Sequence, residues 1–342
     1  MDLSSLLFAG ITALQEYLLE HTLTCLIPAF FIAGAISVII SKESVLKYLG
    51  AKTKKRISYA VASIIGTLLA VCSCTVLPLF AGIYKRGAGL GPAITFLFSG
   101  PAINLLAIIY SASLLGIDIG IARTVAAILM SIVIGLIMAY LFRNEKSKGD
   151  LSIGETKTKP TVQVVSFLSI LILILIIGAA KIELTLKSFF LVVLLFALIV
   201  VLKIWYSKEE IKEWLSATWD LAKQLVPLLL IGVFIAGIIT AIVPRELIEN
   251  SVGGNSIISN LVASIFGAFM YFATLTEVPI VKSLMVLGMG KGPALALLLA
   301  GPSLSLPNMF VINKVLGLKK TVAYVFLVVI FSTLAGFIFG ML

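Results

Sequence analysis

Charge is what this sequence has least of. Only 12% of its 342 residues are charged and 60% are hydrophobic, whereas soluble domains are about a quarter charged. The apolar residues come in long runs, and 162–180 and 188–202 carry no charge at all. Runs of about 20 apolar residues read as membrane helices, and no soluble domain of ordinary size fits between them. Cysteine is scarce too: Cys25, Cys72 and Cys74 are too few for a disulfide framework. His21 is the single histidine and reads as an interfacial anchor, so neither a His-rich metal cluster nor a Ser-His-Asp arrangement can be assembled. The Gly-x4-Gly-Lys-Ser/Thr phosphate loop is missing, which excludes ATP hydrolysis by that device. There is no cofactor motif. The first 21 residues lack a basic stretch and carry Asp2, Glu16 and Glu20, so no cleavable signal peptide is expected. Residues 3–19 read instead as an amphipathic helix at the interface. The net charge of +10 does not point to nucleic acid. The basic residues stand at the ends of apolar segments, where membrane orientation accounts for them.

What the sequence does have is an internal repeat. Pro78, Gly91-Pro92 and Gly100-Pro101 recur as Pro279, Gly292-Pro293 and Gly301-Pro302, each at an offset of 201 residues. Upstream, Phe31-Ile32-Ala33-Gly34 recurs as Phe234-Ile235-Ala236-Gly237, offset by 203. Downstream, Gly135 and Ala139 match Gly336 and Gly340, a spacing of small residues that permits close helix contact. Each copy opens with an amphipathic lead (3–19; 208–221) and a span (22–41; 222–243). A broken apolar stretch follows (57–84; 257–289), then two more spans (92–115 and 119–142; 293–316 and 321–341). The expected organisation is a first transmembrane repeat over 1–142 and a second over 208–342. Between them, 143–207 holds a charged cytoplasmic loop and two linking transmembrane helices.

The broken stretch decides the topology. If it crosses the membrane once, Lys and Arg divide 13 to 13 between the two sides. If it enters and leaves on one side as a re-entrant hairpin, 20 fall on one side and 6 on the other. The six are Arg123, Lys181, Lys187, Arg245, Lys282 and Lys291. The positive-inside rule favours the uneven division. An odd number of crossings then separates the repeats and inverts the second one. Inverted repeats with discontinuous helices are a recurrent plan of secondary transporters, with the solute site at the repeat interface.

The breaks carry the candidate chemistry. The first reads Cys72-Ser73-Cys74-Thr75-Val76-Leu77-Pro78. In a turn, the two thiols can converge on one soft, thiophilic atom; free cysteine is also a common apolar filler. At the matched place the second copy has Glu277, aligned with Val76, just before Pro279. An ionisable residue at membrane depth is a functional hypothesis by default, which makes Glu277 a candidate proton carrier. The alternative is a structural pair with Lys282. A second pair of breaks is expected at Gly100-Pro101 and Gly301-Pro302, each opening a half-helix. Asn104, Ser303, Ser305 and Asn308 stand there, either to coordinate a polar solute or to join helices.

The run 72–79, then Lys85-Arg86-Gly87 and Phe96-Leu97-Phe98-Ser99-Gly100-Pro101-Ala102-Ile103-Asn104, resembles the predicted-permease family that includes the organoarsenical efflux permeases (ArsP-like). The resemblance spans nearly the whole chain. It implies a permease, and some members export trivalent organoarsenicals. By the resemblance, Cys72 and Cys74 are substrate-contacting thiols. Thr75 departs from the small residue expected after the second cysteine, which bears on the substrate more than on transport. The expected protein is thus an all-α, multi-pass permease of the cell membrane, without cofactor or metal. Its expected partners are a small solute and the lipid bilayer. A channel-like conduit and a thiol redox enzyme in the membrane are the other readings.

Overall fold

A chain in a bilayer must satisfy every backbone N–H and C=O internally, which leaves helices or a closed barrel. The computed structural model describes residues 3–18, 27–38, 49–50, 53–68, 73–103, 105–143, 161–179, 183–242, 251–270 and 277–342. These form fifteen helices and no strand. The first half comprises α1 (Leu3–Tyr17), α2 (Ile27–Val38), α3 (Lys55–Leu68), α4 (Ser73–Lys85), α5 (Leu90–Ala102), α6 (Leu105–Leu115) and α7 (Ile117–Leu141). The linkers are α8 (Thr161–Ala179) and α9 (Leu184–Trp205). The second half comprises α10 (Lys208–Ile242), α11 (Ile257–Phe269), α12 (Glu277–Val286), α13 (Lys291–Leu304), α14 (Leu306–Leu316) and α15 (Leu318–Phe339).

Among the described residues, four helices are long and apolar enough to cross a membrane: Ile117–Leu141, Thr185–Trp205, Lys208–Ile235 and Leu318–Phe339. The bent pair α13–α14 is together long and apolar enough for a fifth. The protein is therefore a multi-pass membrane protein. α9 packs on α8, and only 6% of its most apolar stretch is buried, so most of its surface faces lipid.

The two halves match in detail. Four glycines at the turns adopt positive φ: Gly87 (96°) and Gly288 (110°), then Gly116 (119°) and Gly317 (85°). Both pairs are 201 residues apart, and each lies where a side chain would strain the backbone. The chain before α3 is tied to the turn after α4, where the Gly89 N–H donates to the Leu49 carbonyl at 2.8 Å. The Gly290 N–H makes the same link to the Val252 carbonyl at 3.2 Å around α11 and α12. The two ends of each helical hairpin thus meet. α3 has 14 residues and α11 has 13, a reach of about 20 Å, short of the roughly 30 Å hydrocarbon core.

Close crossings repeat as well. A Cβ on Gly135 would lie 2.8 Å from the Gly91 carbonyl oxygen, and one on Gly336 would lie 2.5 Å from that of Gly292. Glycine therefore sets the approach of α7 to α5 and of α15 to α13. The halves also exchange contacts. α6 packs against α12, and α4 packs against α14.

The lead and span expected over 208–221 and 222–243 are instead one helix, the 35-residue α10. A capping box starts it. The Ser207 N–H donates to Glu210 Oε2 at 2.8 Å, and the Glu210 N–H donates to Ser207 Oγ at 3.2 Å. Its first part is held in place by Trp214, whose Nε1–H donates to the Phe31 carbonyl at 2.8 Å. Trp214 also packs on Phe167 with ring centroids 5.0 Å apart. Pro227 lies inside α10 without dividing it.

Candidate functional site

The clearest interruption lies between α13 and α14. At Ser305 the backbone leaves the helix (φ 14°, ψ 147°), and the two axes bend by 48°. Pro307 stands in the first turn of α14, where its missing N–H costs nothing. The position of the break differs from the expectation. Pro302 lies in the last turn of α13, and Pro101 in the last turn of α5. The Gly-Pro pairs end helices rather than begin them. Proline withholds a donor from the carbonyl four residues earlier but leaves its own carbonyl free to accept, so the helix runs on for part of a turn. Pro78 is likewise inside α4, and Pro279 is in the first turn of α12.

Ser303, Ser305 and Asn308 are each 2% exposed. Among the described residues, Ser303 Oγ, Ser305 Oγ and Asn308 Oδ1 have no hydrogen-bond partner. A buried polar atom without a partner costs roughly 1–3 kcal/mol, so three at one helix break stand out. Glu277 adds a fourth. It is fully buried at the start of α12, and its Oε2 has no partner among the described residues. A Cβ on Gly301 would lie 3.7 Å from that oxygen, which sets the carboxylate beside the last turn of α13.

The other carboxylate oxygen is paired, but not with Lys282, which is exposed. Arg123 Nη2 donates to Glu277 Oε1 at 2.6 Å, and both side chains are 0% exposed. Arg123 Nη1 donates to Ser111 Oγ at 2.9 Å, and Nε donates to the Ala102 carbonyl at 3.4 Å. The guanidinium therefore links the end of α5, the middle of α6 and the hairpin helix α12. It joins the first half of the chain to the second. Counting loop charges places Arg123 outside the membrane; it belongs instead to the second turn of α7, in the interior. A sequence signal was present, because an arginine inside an otherwise apolar span is a functional candidate on the same ground as Glu277.

The remaining expected site residues are distributed as follows. Cys72 and Asn104 lie outside the described residues. Ser73 and Cys74 belong to the first turn of α4. Gly100 faces Val76, whose Cγ2 would lie 2.5 Å from a Cβ placed there. This matches the approach of Gly301 to Glu277. Among the described residues, no group of three or more His, Cys, Asp or Glu could hold a metal ion.

Comparison with known proteins supports a membrane permease. The family described as "Predicted permease" (ArsP_1) matches residues 7–341. The chain is similar to UPF0718 protein MJ0584 of Methanocaldococcus jannaschii, with 50% identity over 97% of this chain and 95% of that protein. UPF0718 protein YraQ of Escherichia coli is 21% identical over 84% of this chain and 68% of its own length. No solved structure matches.

Proposed function

The chain belongs to the predicted permease family, and within it we propose a secondary transporter built from two inverted repeats, 1–142 and 208–342, joined by 143–207. The observation that carries this reading is the α13–α14 break, which holds buried polar atoms without partners among the described residues, and whose helix α13 approaches, at Gly301, an ion pair that joins both halves. Non-helical backbone at membrane depth is tolerated where protein or a water-filled path covers it. Polar groups left unsatisfied there are what a solute would satisfy. The joined ends and short helices of the two hairpins support the re-entrant reading.

The solute we propose is small and thiophilic, such as a trivalent organoarsenical, and the direction is efflux. The Cys72-Ser73-Cys74 run and the family resemblance support this. In this reading Cys72 and Cys74 hold the soft atom. Asn104, Ser303, Ser305 and Asn308 hold polar groups of the solute. Glu277 carries the coupling proton. Pro78, Gly100, Pro101, Pro279, Gly301 and Pro302 shape the breaks. The test is flux of methylarsonous acid into proteoliposomes with an imposed pH gradient and no electron donor. Uptake that follows the gradient is expected. Uptake that no gradient changes points to a conduit. Turnover only when a reductant is added points to a thiol redox enzyme, and the transporter reading is then wrong.

A further inference from the structure

A guanidinium does not give up its proton in a protein. Arg123 is fully buried, so its charge needs a counterion at every stage, and leaving it unmatched is heavily unfavourable. Glu277 is that counterion. If Glu277 takes a proton, Arg123 must find another anion. We propose that a small monoanion then takes the carboxylate's place on Arg123, so that the solute crosses together with one proton. The inference rests on the transport reading and is independent of the thiols.

Three features of the site fit an anion. The Glu277 carboxylate is itself a small anion seated on the guanidinium at 2.6 Å. The helix α13, where a Cβ on Gly301 would lie 3.7 Å from the Glu277 carboxylate, ends at Ser303 and Ser305, whose buried hydroxyls have no partner among the described residues and can each donate a hydrogen bond. The N-terminus of the 11-residue α14 lies at the same break, and the Ser305 side chain does not cap it. First-turn N–H groups lack helical acceptors and favour anions.

Other charges do not provide the counterion. α12 packs against α6 and α13. Tyr110 of α6 is exposed, as is Lys282 of α12 itself. Lys291 of α13 pairs at the surface with Asp118 of α7 at 2.5 Å. Among the described residues, Arg123 is thus the charged group that meets Glu277.

The cycle balances. A proton from one aqueous side binds a Glu277 carboxylate oxygen, and the contact with Arg123 opens. The anion takes the guanidinium and, after the site reorients, leaves to the other side. Arg123 then recovers the carboxylate, and the proton is released on that same side. One proton and one monoanion move together, and no net charge crosses.

The probes are formate, nitrite and methanesulfinate, binding to the purified protein by thermal shift and titration calorimetry. For wild type we expect affinity for at least one of them to fall as pH rises, approaching tenfold per pH unit once Glu277 is ionised, with proton uptake accompanying anion binding. Glu277→Gln removes the competing carboxylate. It should bind the same anion with no pH dependence, so that its advantage over wild type grows by up to about tenfold per pH unit at alkaline pH. The double variant Arg123→Gln with Glu277→Gln needs no buried charge and should bind none. If Glu277→Gln alone does not fold, proton uptake by wild type and loss of binding in the double variant decide the matter. No gain of affinity in a folded Glu277→Gln protein overturns the proposal, as does binding by the double variant. It also fails if none of the three anions binds any form. Flux of neutral methylarsonous acid then separates the two readings: with flux, only the anion inference falls, and without it the transport reading falls too.

Discussion

Replacing Arg123 with methionine is the perturbation that bears most directly on the ion pair. It removes three hydrogen bonds, to Glu277 Oε1 at 2.6 Å, Ser111 Oγ at 2.9 Å and the Ala102 carbonyl at 3.4 Å. Glu277 is then stranded with both oxygens unpartnered, since Oε2 has no partner even in the intact protein. Removing one member of a buried pair costs about 3–5 kcal/mol. The membrane offers no refuge, because a charge at its centre costs roughly 2.5–3.5 kcal/mol on insertion scales. Glu277→Met should cost more than Arg123→Met, since a stranded Glu277 can take a proton whereas Arg123 keeps its charge with only the neutral Ser111 hydroxyl and Ala102 carbonyl to accept from it. The double methionine variant replaces two charges with apolar side chains of similar length and should lie within about 1 kcal/mol of wild type, or above it. The cycle then yields a coupling energy of at least about 3 kcal/mol. The assay is reversible unfolding in bicelles, followed for wild type, both single variants and the double. Single-variant costs that add to within about 0.5 kcal/mol would mean that the two charges are not paired in the folded protein.

Three further outcomes are expected. Single cysteines at Lys54 and Lys85 should react with an impermeant reagent from the same side and one at Lys291 from the opposite side; reaction of 54 and 85 from opposite faces would refute the re-entrant hairpin. Gly292→Ala should destabilise by about 1–3 kcal/mol, because its Cβ would lie 2.7 Å from the Gly336 carbonyl oxygen; an unchanged melting temperature would show that α13 and α15 can part freely. Cys72→Ser and Cys74→Ser should weaken binding of an organoarsenical strongly and of an oxyanion only slightly; wild-type arsenical affinity in both variants would remove thiol coordination from the proposal.

Much of the fold was legible because duplicated constraints leave duplicated residues. A turn that needs positive φ keeps glycine, so Gly87 and Gly116 have counterparts in Gly288 and Gly317. A close crossing keeps glycine too, as at Gly135 and Gly336. Where packing rather than backbone decides, the sequence was less informative. Nothing in 208–243 announced that lead and span would fuse, because the docking of Trp214 on Phe31 and Phe167 is a long-range event. The breaks were placed a few residues early because proline marks the neighbourhood of an interruption and not its side. Glu277 was legible as a lone carboxylate in an apolar stretch. Arg123 carried the same signal, but the pairing of the two did not show, because charge counting treats an arginine near a helix end as a loop residue.

The repeat also shows what the ion pair is not needed for. Offset by 201 residues, Arg123 corresponds to Tyr324, Glu277 to Val76 and Ala102 to Ser303. Tyr324 Oη donates to the Ser303 carbonyl at 3.4 Å, as Arg123 Nε donates to that of Ala102 at 3.4 Å. Both positions therefore supply a donor to a carbonyl at the end of the helix before a break. Tyrosine does this without charge and beside no carboxylate, since Val76 stands where Glu277 would be. A neutral donor thus suffices for the structural task, and the charge at position 123 calls for another explanation. Copying one site onto the other tests this. The double variant Arg123→Tyr with Glu277→Val should fold with stability close to wild type, because it removes both buried charges and keeps a donor for the Ala102 carbonyl. Its flux should lose all dependence on a pH gradient. Stability is read by thermal unfolding in detergent, and flux in proteoliposomes with and without the gradient. If the copied site folds and still transports with the wild-type response to pH, the pair is structural, and Glu277 cannot be the residue that carries the proton.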